Sequence, residues 1–265
     1  MQLDLTGRVA VVTGASRGVG FHIARRLATS GAAVGLVARS ADALHQTVLD
    51  LRAAGAVVAA LPADCSRPEE VERLTGVVAQ VLGPPAILVN AAGIFGPIQL
   101  IRESDVAAWI QTLMVNTIAP YLTCRAFAGG MVDRGWGRIV NVSSAAALSP
   151  PGPLNSAYAT SKAALNQLTR HLAAELAGTH VTANLIHPGE VKTEMWADIR
   201  DKARRAGAQG EGLVRWAEWV AATEGDPPSK AADLVLELMS EEAAGINGHF
   251  LWIAGGLKAP LPSWS

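Results

Sequence analysis

Short apolar runs rich in valine, isoleucine and leucine alternate along the chain with longer stretches in which apolar residues recur at helical spacing. The short runs predict seven β-strands, at residues 8–13, 33–38, 57–61, 87–90, 138–142, 181–186 and 249–253. Between the first four lie amphipathic segments at 18–30, 40–54 and 66–82, each followed by a glycine (Gly31, Gly55, Gly83) of the kind that ends a helix. Ser66, Arg67, Pro68 and Glu69 read as a capping box with proline in the first turn. Two longer helices rich in alanine and leucine are expected at about 104–133 and 155–177. Such alternation builds a parallel sheet covered by helices on both faces. The expected fold class is therefore α/β, a single Rossmann-like doubly wound domain over residues 1–265 with a seven-stranded, mostly parallel sheet.

The rhythm fails once, at 189–226. This stretch holds basic clusters, three tryptophans (Trp196, Trp216, Trp219) and the glycines Gly207, Gly210 and Gly212. An interruption of this length inside a compact domain points to a substrate lid or a mobile segment. The tryptophans, with Met195, suit either an apolar cover over a bulky carbonyl compound or simple packing. No internal repeat or linker marks a second domain.

Composition narrows the function. At 265 residues, 50% hydrophobic and 17% charged, the chain can bury a substantial core. A net charge of −1 supplies no global field for nucleic acid or an anionic membrane, so neither is an expected partner. No run of 18 apolar residues occurs, and Met1 to Leu5 has no basic leader region, so no membrane span or export is expected. Cys65 and Cys124 lack CxxC spacing, which suits a reducing compartment, and the six histidines form no metal-binding pattern. The expectation is a cytoplasmic protein without a metal, its long helices giving a homodimer or homotetramer.

Thr13-Gly14-Ala15-Ser16-Arg17-Gly18-Val19-Gly20 follows the first strand and opens a helix. There, glycines let the backbone approach a pyrophosphate while the helix N-terminus offers free N–H groups. An acid at the end of the second strand would bind both ribose hydroxyls of NAD, but the strand ends Val37-Ala38-Arg39-Ser40. Arg39, with Arg17 in the loop, can pair with a 2′-phosphate, so NADP(H) is the expected cofactor. Asp42 falls in the next helix's first turn, where it complements the dipole.

Tyr158 and Lys162 stand at i and i+4 on the second long helix. A nearby ammonium, aided by an oxidised nicotinamide, favours the phenolate and brings a tyrosine toward neutrality. Asn141-Val142-Ser143-Ser144 closes the fifth strand, where open α/β sheets place ligands. Either serine could hydrogen-bond a substrate oxygen, or both could be turn residues.

Together these motifs resemble the short-chain dehydrogenase/reductase family, in order, over about residues 7–256. By that resemblance Gly14, Ser16, Arg17, Gly18, Val19 and Gly20 bind the cofactor with Arg39 and Ser40, and Asp64 with Cys65 lies at the adenine. Asn90, Ala91 and Gly93 match the segment after the fourth strand. Asn116 matches the asparagine of a proton-relay water, and Ser144, Tyr158 and Lys162 match the catalytic trio. Pro188, Gly189, Val191 and Thr193 match the stretch at the nicotinamide. The implied reaction is reduction of a ketone or aldehyde to an alcohol, or the reverse. In it Tyr158 is the general acid, Ser144 polarises the oxygen, and Lys162 also holds the nicotinamide ribose. A 3-oxoacyl carrier-protein reductase and a non-catalytic dinucleotide sensor are the alternatives. Two departures stand out: Ser144 lies fourteen residues before Tyr158, which keeps Ser143 in view, and Ala254 replaces a frequent aspartate.

Overall fold

The computed structural model describes residues 3–258 and 261–262. Seven parallel strands form the sheet: β1 (Val9–Thr13), β2 (Ala33–Ala38), β3 (Val58–Pro62), β4 (Ile87–Asn90), β5 (Gly137–Val142), β6 (Val181–His187) and β7 (His249–Trp252). A two-residue antiparallel strand, β8 (Leu261–Pro262), adds to the far edge and was not expected from the sequence. The order is β3-β2-β1-β4-β5-β6-β7-β8, so the winding reverses between β1 and β4 and opens a crevice there. Met1 and Gln2 of the amino-terminal reading lie outside the described residues.

Alternate residues of β1 serve opposite faces. Ala10 and Val12 join the core under α1 (Gly18–Thr29), α2 (Ala41–Ala53) and a C-terminal helix at Pro228–Glu237. Val9 and Val11 join the core under α3 (Pro68–Val81), with Phe127 and Met131 from the long central helical region and Ala173 and Leu176 from near 155–177. Gly31, Gly55 and Gly83 all take positive φ and end their helices as the sequence predicts.

Two expectations need correction. The capping box at Ser66 does not form: α3 starts at Pro68 behind Arg67, and the Ser66 hydroxyl donates to Asp64 Oδ1 at 2.7 Å. The short side chain turns back to the carboxylate that precedes it, as serine often does in a turn. The single helix expected at 104–133 is instead α4 (Val106–Leu113), a five-residue π turn (Met114–Ile118) and α5 (Ala119–Asp133). The other long helix, α6 (Ser156–Glu175), is continuous. The irregular stretch contains two further helices, α7 (Glu194–Arg205) and α8 (Glu211–Ala222), and the C-terminal helix is α9.

Candidate active site

Because the strands are parallel, the segments after β1 to β6 emerge at one end of the sheet, and the residues singled out by the sequence gather there. The Gly14 to Gly20 loop is held to its neighbours: Ala15 N–H donates to Val37 O at 3.2 Å, and Ala92 N–H donates to Thr13 Oγ1 at 3.3 Å. Gly14 has φ +68°, and a Cβ on it would lie 2.7 Å from Ala92 N. A Cβ on Gly20 would lie 2.3 Å from Gly14 O, so α1 can approach the loop only because both are glycine. No side chain caps α1 and no acid occupies its first turn, which leaves the N–H groups around Gly18 and Val19 for an anion.

This donor set fits a dinucleotide. Ser16 is half-buried, and Arg17 and Arg39 are exposed beside the loop. Ser40 caps α2 by accepting from Ala43 N–H at 3.2 Å, with Asp42 in the first turn as expected. Burial works to raise the Asp64 carboxyl, but hydrogen bonds from Ser66 and the charges of Arg39 and Arg67 hold it below the usual range. The Cys65 thiol is buried and pushed up to about 12, mainly by desolvation, so it contributes shape and not reactivity.

Asn90 is buried at the end of β4. Its side chain turns inward, donating to Asn141 Oδ1 at 2.9 Å and accepting from Thr123 Oγ1 at 2.8 Å. Asn141 in turn donates to Thr169 Oγ1 at 2.8 Å. This buried polar chain ties β4 and β5 to α5 and α6. The sequence hinted at it only through amides ending two apolar strands.

Lys162 is buried, and its Nζ donates to Val142 O at 2.8 Å, 5.8 Å from the Tyr158 ring centroid. Desolvation lowers its pKa to about 8. A Cβ on Gly93 would lie 3.7 Å from that Nζ and 3.4 Å from Asn116 Oδ1, so the turn after β4 closes over both. Asn116, within the π turn, acts as a bracket: Ile94 N–H donates to its Oδ1 at 2.9 Å, and its Nδ2 donates to Ile94 O and Ser161 Oγ at 2.8 and 2.9 Å. Here the π turn aims the amide at the β4 loop.

Adjacent strand-end residues face opposite ways, which separates the two serines. Ser143 is buried, its hydroxyl donating to Asn166 Oδ1 at 2.6 Å. Ser144 is half-buried, and its hydroxyl lies near enough to the Tyr158 phenol to lower it. The Tyr158 ring stacks on Phe95 with centroids 4.6 Å apart. The protein alone does not lower the phenol: burial raises its pKa, Ser144 offsets this in part, and the Glu190 carboxylate raises it further. The same desolvation that pushes up the phenol also disfavours the Lys162 ammonium.

The segment after β6 starts at Gly189, whose φ of +82° and close approach to Ile253 and Asp226 exclude a side chain. Glu190 and Asp226 clasp the two ends of the irregular stretch: Glu190 N–H donates to Asp226 Oδ2 at 3.1 Å, and Asp226 N–H donates to Glu190 O at 3.0 Å. Val191 follows, and Thr193 caps α7 by accepting from Trp196 N–H at 3.3 Å, which leaves its own proton to donate. Arg17 of the glycine loop forms an ion pair with Glu194. Trp196 Nε1 donates to Ala217 O at 3.2 Å and fastens α7 to α8, while Trp216 Nε1 donates to Glu190 Oε2 at 2.9 Å. Trp219 is 55% exposed and faces away from this packing. His187 and Glu190 carried no signal in the sequence. His187 Nδ1 accepts from Ala145 N–H at 3.3 Å, and its Nε2 stands 3.7 Å from Glu190 Oε1.

Residues 8–204 match the family model of the short chain dehydrogenases. The chain belongs to the short-chain dehydrogenase/reductase family. Galactitol 2-dehydrogenase (L-tagatose-forming) of Cereibacter sphaeroides is 37% identical over 255 residues, 95% of this chain and 95% of that one. The 3-oxoacyl-[acyl-carrier-protein] reductase of Pseudomonas aeruginosa is 34% identical, covering 96% and 99%. Among solved structures, a variant of the actinorhodin polyketide ketoreductase with NADPH superposes with a TM-score of 0.84 at 32% identity, over 94% of this chain and 97% of that one. As a short-chain dehydrogenase/reductase the protein is an oxidoreductase acting on an alcohol or carbonyl group of a small molecule, with the nicotinamide dinucleotide typical of the family. Among the described residues no helix is long and apolar enough to cross a membrane.

Proposed function

We propose that the protein is an NADP(H)-dependent carbonyl reductase, converting a ketone or aldehyde to an alcohol or running the reverse, with Tyr158 as general acid and base. The observation that carries this is the grouping of Tyr158, Ser144 and the buried Lys162, whose Nζ lies 5.8 Å from the Tyr158 ring centroid, at the carboxyl end of the sheet. A raised phenol pKa keeps Tyr158 protonated near neutrality, the state a proton donor needs. Ser144 holds the substrate oxygen against Tyr158. Lys162 has N–H groups beyond the one on Val142 O for the nicotinamide ribose, and Asn116 shapes the floor beside it. When bound, the dinucleotide supplies the hydride.

Gly14, Ser16, Gly18, Val19 and Gly20 would hold the pyrophosphate. Arg17, Arg39 and Ser40 would take the 2′-phosphate, Asp64 and Cys65 the adenine, and Ala91, Gly93 and the main chain of Asn90 the adjoining ribose. Pro188, Gly189, Val191 and Thr193 would border the nicotinamide, and residues 189–226 would form the substrate lid. The same reading makes the protein a cytoplasmic homo-oligomer, paired through the exposed Val106, Ile110 and Tyr121 of α4 and α5.

The test is turnover of a panel of ketones, aldehydes and 3-oxoacyl thioesters with NADPH and with NADH, followed by nicotinamide absorbance. Reduction of at least one class, abolished in Tyr158→Phe while NADPH affinity stays within a few-fold, is expected. No turnover of any class, or about a tenth of kcat surviving in Tyr158→Phe, overturns the proposal.

A further inference from the structure

Beside the site, between α7 and the chain that follows β4, lies a cavity of about 570 Å³, large enough for part of a small-molecule ligand. Its floor includes Ile98, Leu100 and Leu154. Ile98 and Leu154 belong to the same apolar cluster as Phe95, and Phe95 stacks on Tyr158, so the cavity floor is packed against the side chains that border the phenol. Leu154 is buried with φ +72°, a left-handed conformation that a leucine rarely takes and that collects at ligand sites.

The charges around the cavity are almost all paired. Lys202 Nζ is 2.7 Å from Asp198, and the one carboxylate among the lining residues, Glu103, is 3.1 Å from Arg102. On the same helix Arg200 pairs with Asp201 at 3.0 Å and Arg204 with Glu218 at 3.6 Å. Arg205 lines the cavity, is exposed, and makes no hydrogen bond or ion pair among the described residues. The cavity thus offers an apolar floor with one uncommitted guanidinium at its rim.

We propose that this cavity seats the far end of the substrate and that Arg205 binds a carboxylate there, so that the preferred substrates are carbonyl compounds with an apolar body and a terminal carboxylate. This deepens, and rests on, the carbonyl-reductase reading. A guanidinium meets a carboxylate through two parallel hydrogen bonds, and the apolar floor accommodates the chain between the two polar ends. Arg205 also stands in the last turn of α7, where any cation complements the helix dipole; a purely structural arginine would not discriminate between substrates.

The test compares ketones ending in a carboxylate with the same ketones as methyl esters, by kcat/KM on the NADPH-loaded protein. The wild type should favour acids over esters by about tenfold or more, the worth of one good charge-assisted contact. In Arg205→Gln the acid-to-ester ratio should fall close to one, and in Arg205→Glu amine-ended ketones should overtake the acids. Equal use of acids and esters by the wild type, or an unchanged ratio in Arg205→Gln, overturns the inference while leaving carbonyl reduction standing. If neither series is reduced, the comparison is made by binding. Calorimetric binding of the acids to wild type and Arg205→Gln then decides the cavity alone, with equal dissociation constants rejecting it.

Discussion

The approach of Gly14 to the β4 turn tests how the dinucleotide cradle is built. In Gly14→Ala the new Cβ would lie 2.7 Å from Ala92 N and 2.8 Å from Ala92 Cα, both backbone atoms that cannot rotate away. The residue also has φ +68°, which costs an L-residue about 1–2 kcal/mol. Forcing the two backbones apart adds about 1–3 kcal/mol of overpacking. Gly55→Ala separates the two effects, because Gly55 has φ +82° but nothing within 4 Å of its Cβ position. Urea unfolding followed by circular dichroism should show a loss of about 2–5 kcal/mol for Gly14→Ala against about 1–2 kcal/mol for Gly55→Ala. NADPH affinity should fall about tenfold or more in the first variant only, since the loop moves off the β4 turn. Losses equal within about 0.5 kcal/mol would refute the close-approach argument, leaving backbone conformation as the whole effect.

Three other outcomes can be checked with the same protein. Arg39→Asp should turn an NADPH preference of about tenfold into an NADH preference, measured as the ratio of dissociation constants; an unchanged ratio removes Arg39 from the cofactor site. Burial sets the Lys162 ammonium to lose its proton near pH 8, not near 10.5, so kcat/KM for NADPH should be level below about 8 and decline above it. Lys162→Arg should move that decline upward, and an identical alkaline limb would assign it to another group. Asn116→Ala strands the N–H and the C=O of Ile94, two half-buried groups at about 1–3 kcal/mol each, and should destabilise the fold by about 2–6 kcal/mol; a loss under 1 kcal/mol would mean that the bracket holds nothing.

The seven parallel strands were legible because buried parallel strands are continuous apolar runs, and because glycines with positive φ punctuate the helices between them. Tyr158 and Lys162 were legible because helical spacing alone puts them on one face. Ser143 and Ser144 were not separable: their difference is which face of the strand end each meets, and that depends on Asn166, 23 residues away. The chain from Thr123 to Thr169 was hidden for the same reason, since each of its polar residues looks like an ordinary turn or helix residue until β4 and β5 stand side by side. The helical pattern of 104–133 concealed the π turn, because apolar residues keep recurring through it. Glu190, which acts on Tyr158 through space and on α8 through Trp216, belongs to no local pattern.

The π turn also has an evolutionary consequence. A helix that holds five residues where the regular geometry asks for fewer is one deletion away from regularity. Loss of a single residue between Met114 and Ile118 would join α4 and α5 into a straighter rod with better-spaced hydrogen bonds. Everything beyond it would rotate by about one residue, roughly 100° of helix, and swing the amide away from Ile94 and Ser161. Such a chain would gain regularity and lose the hydrogen bonds that tie this helix to Ile94 and Ser161.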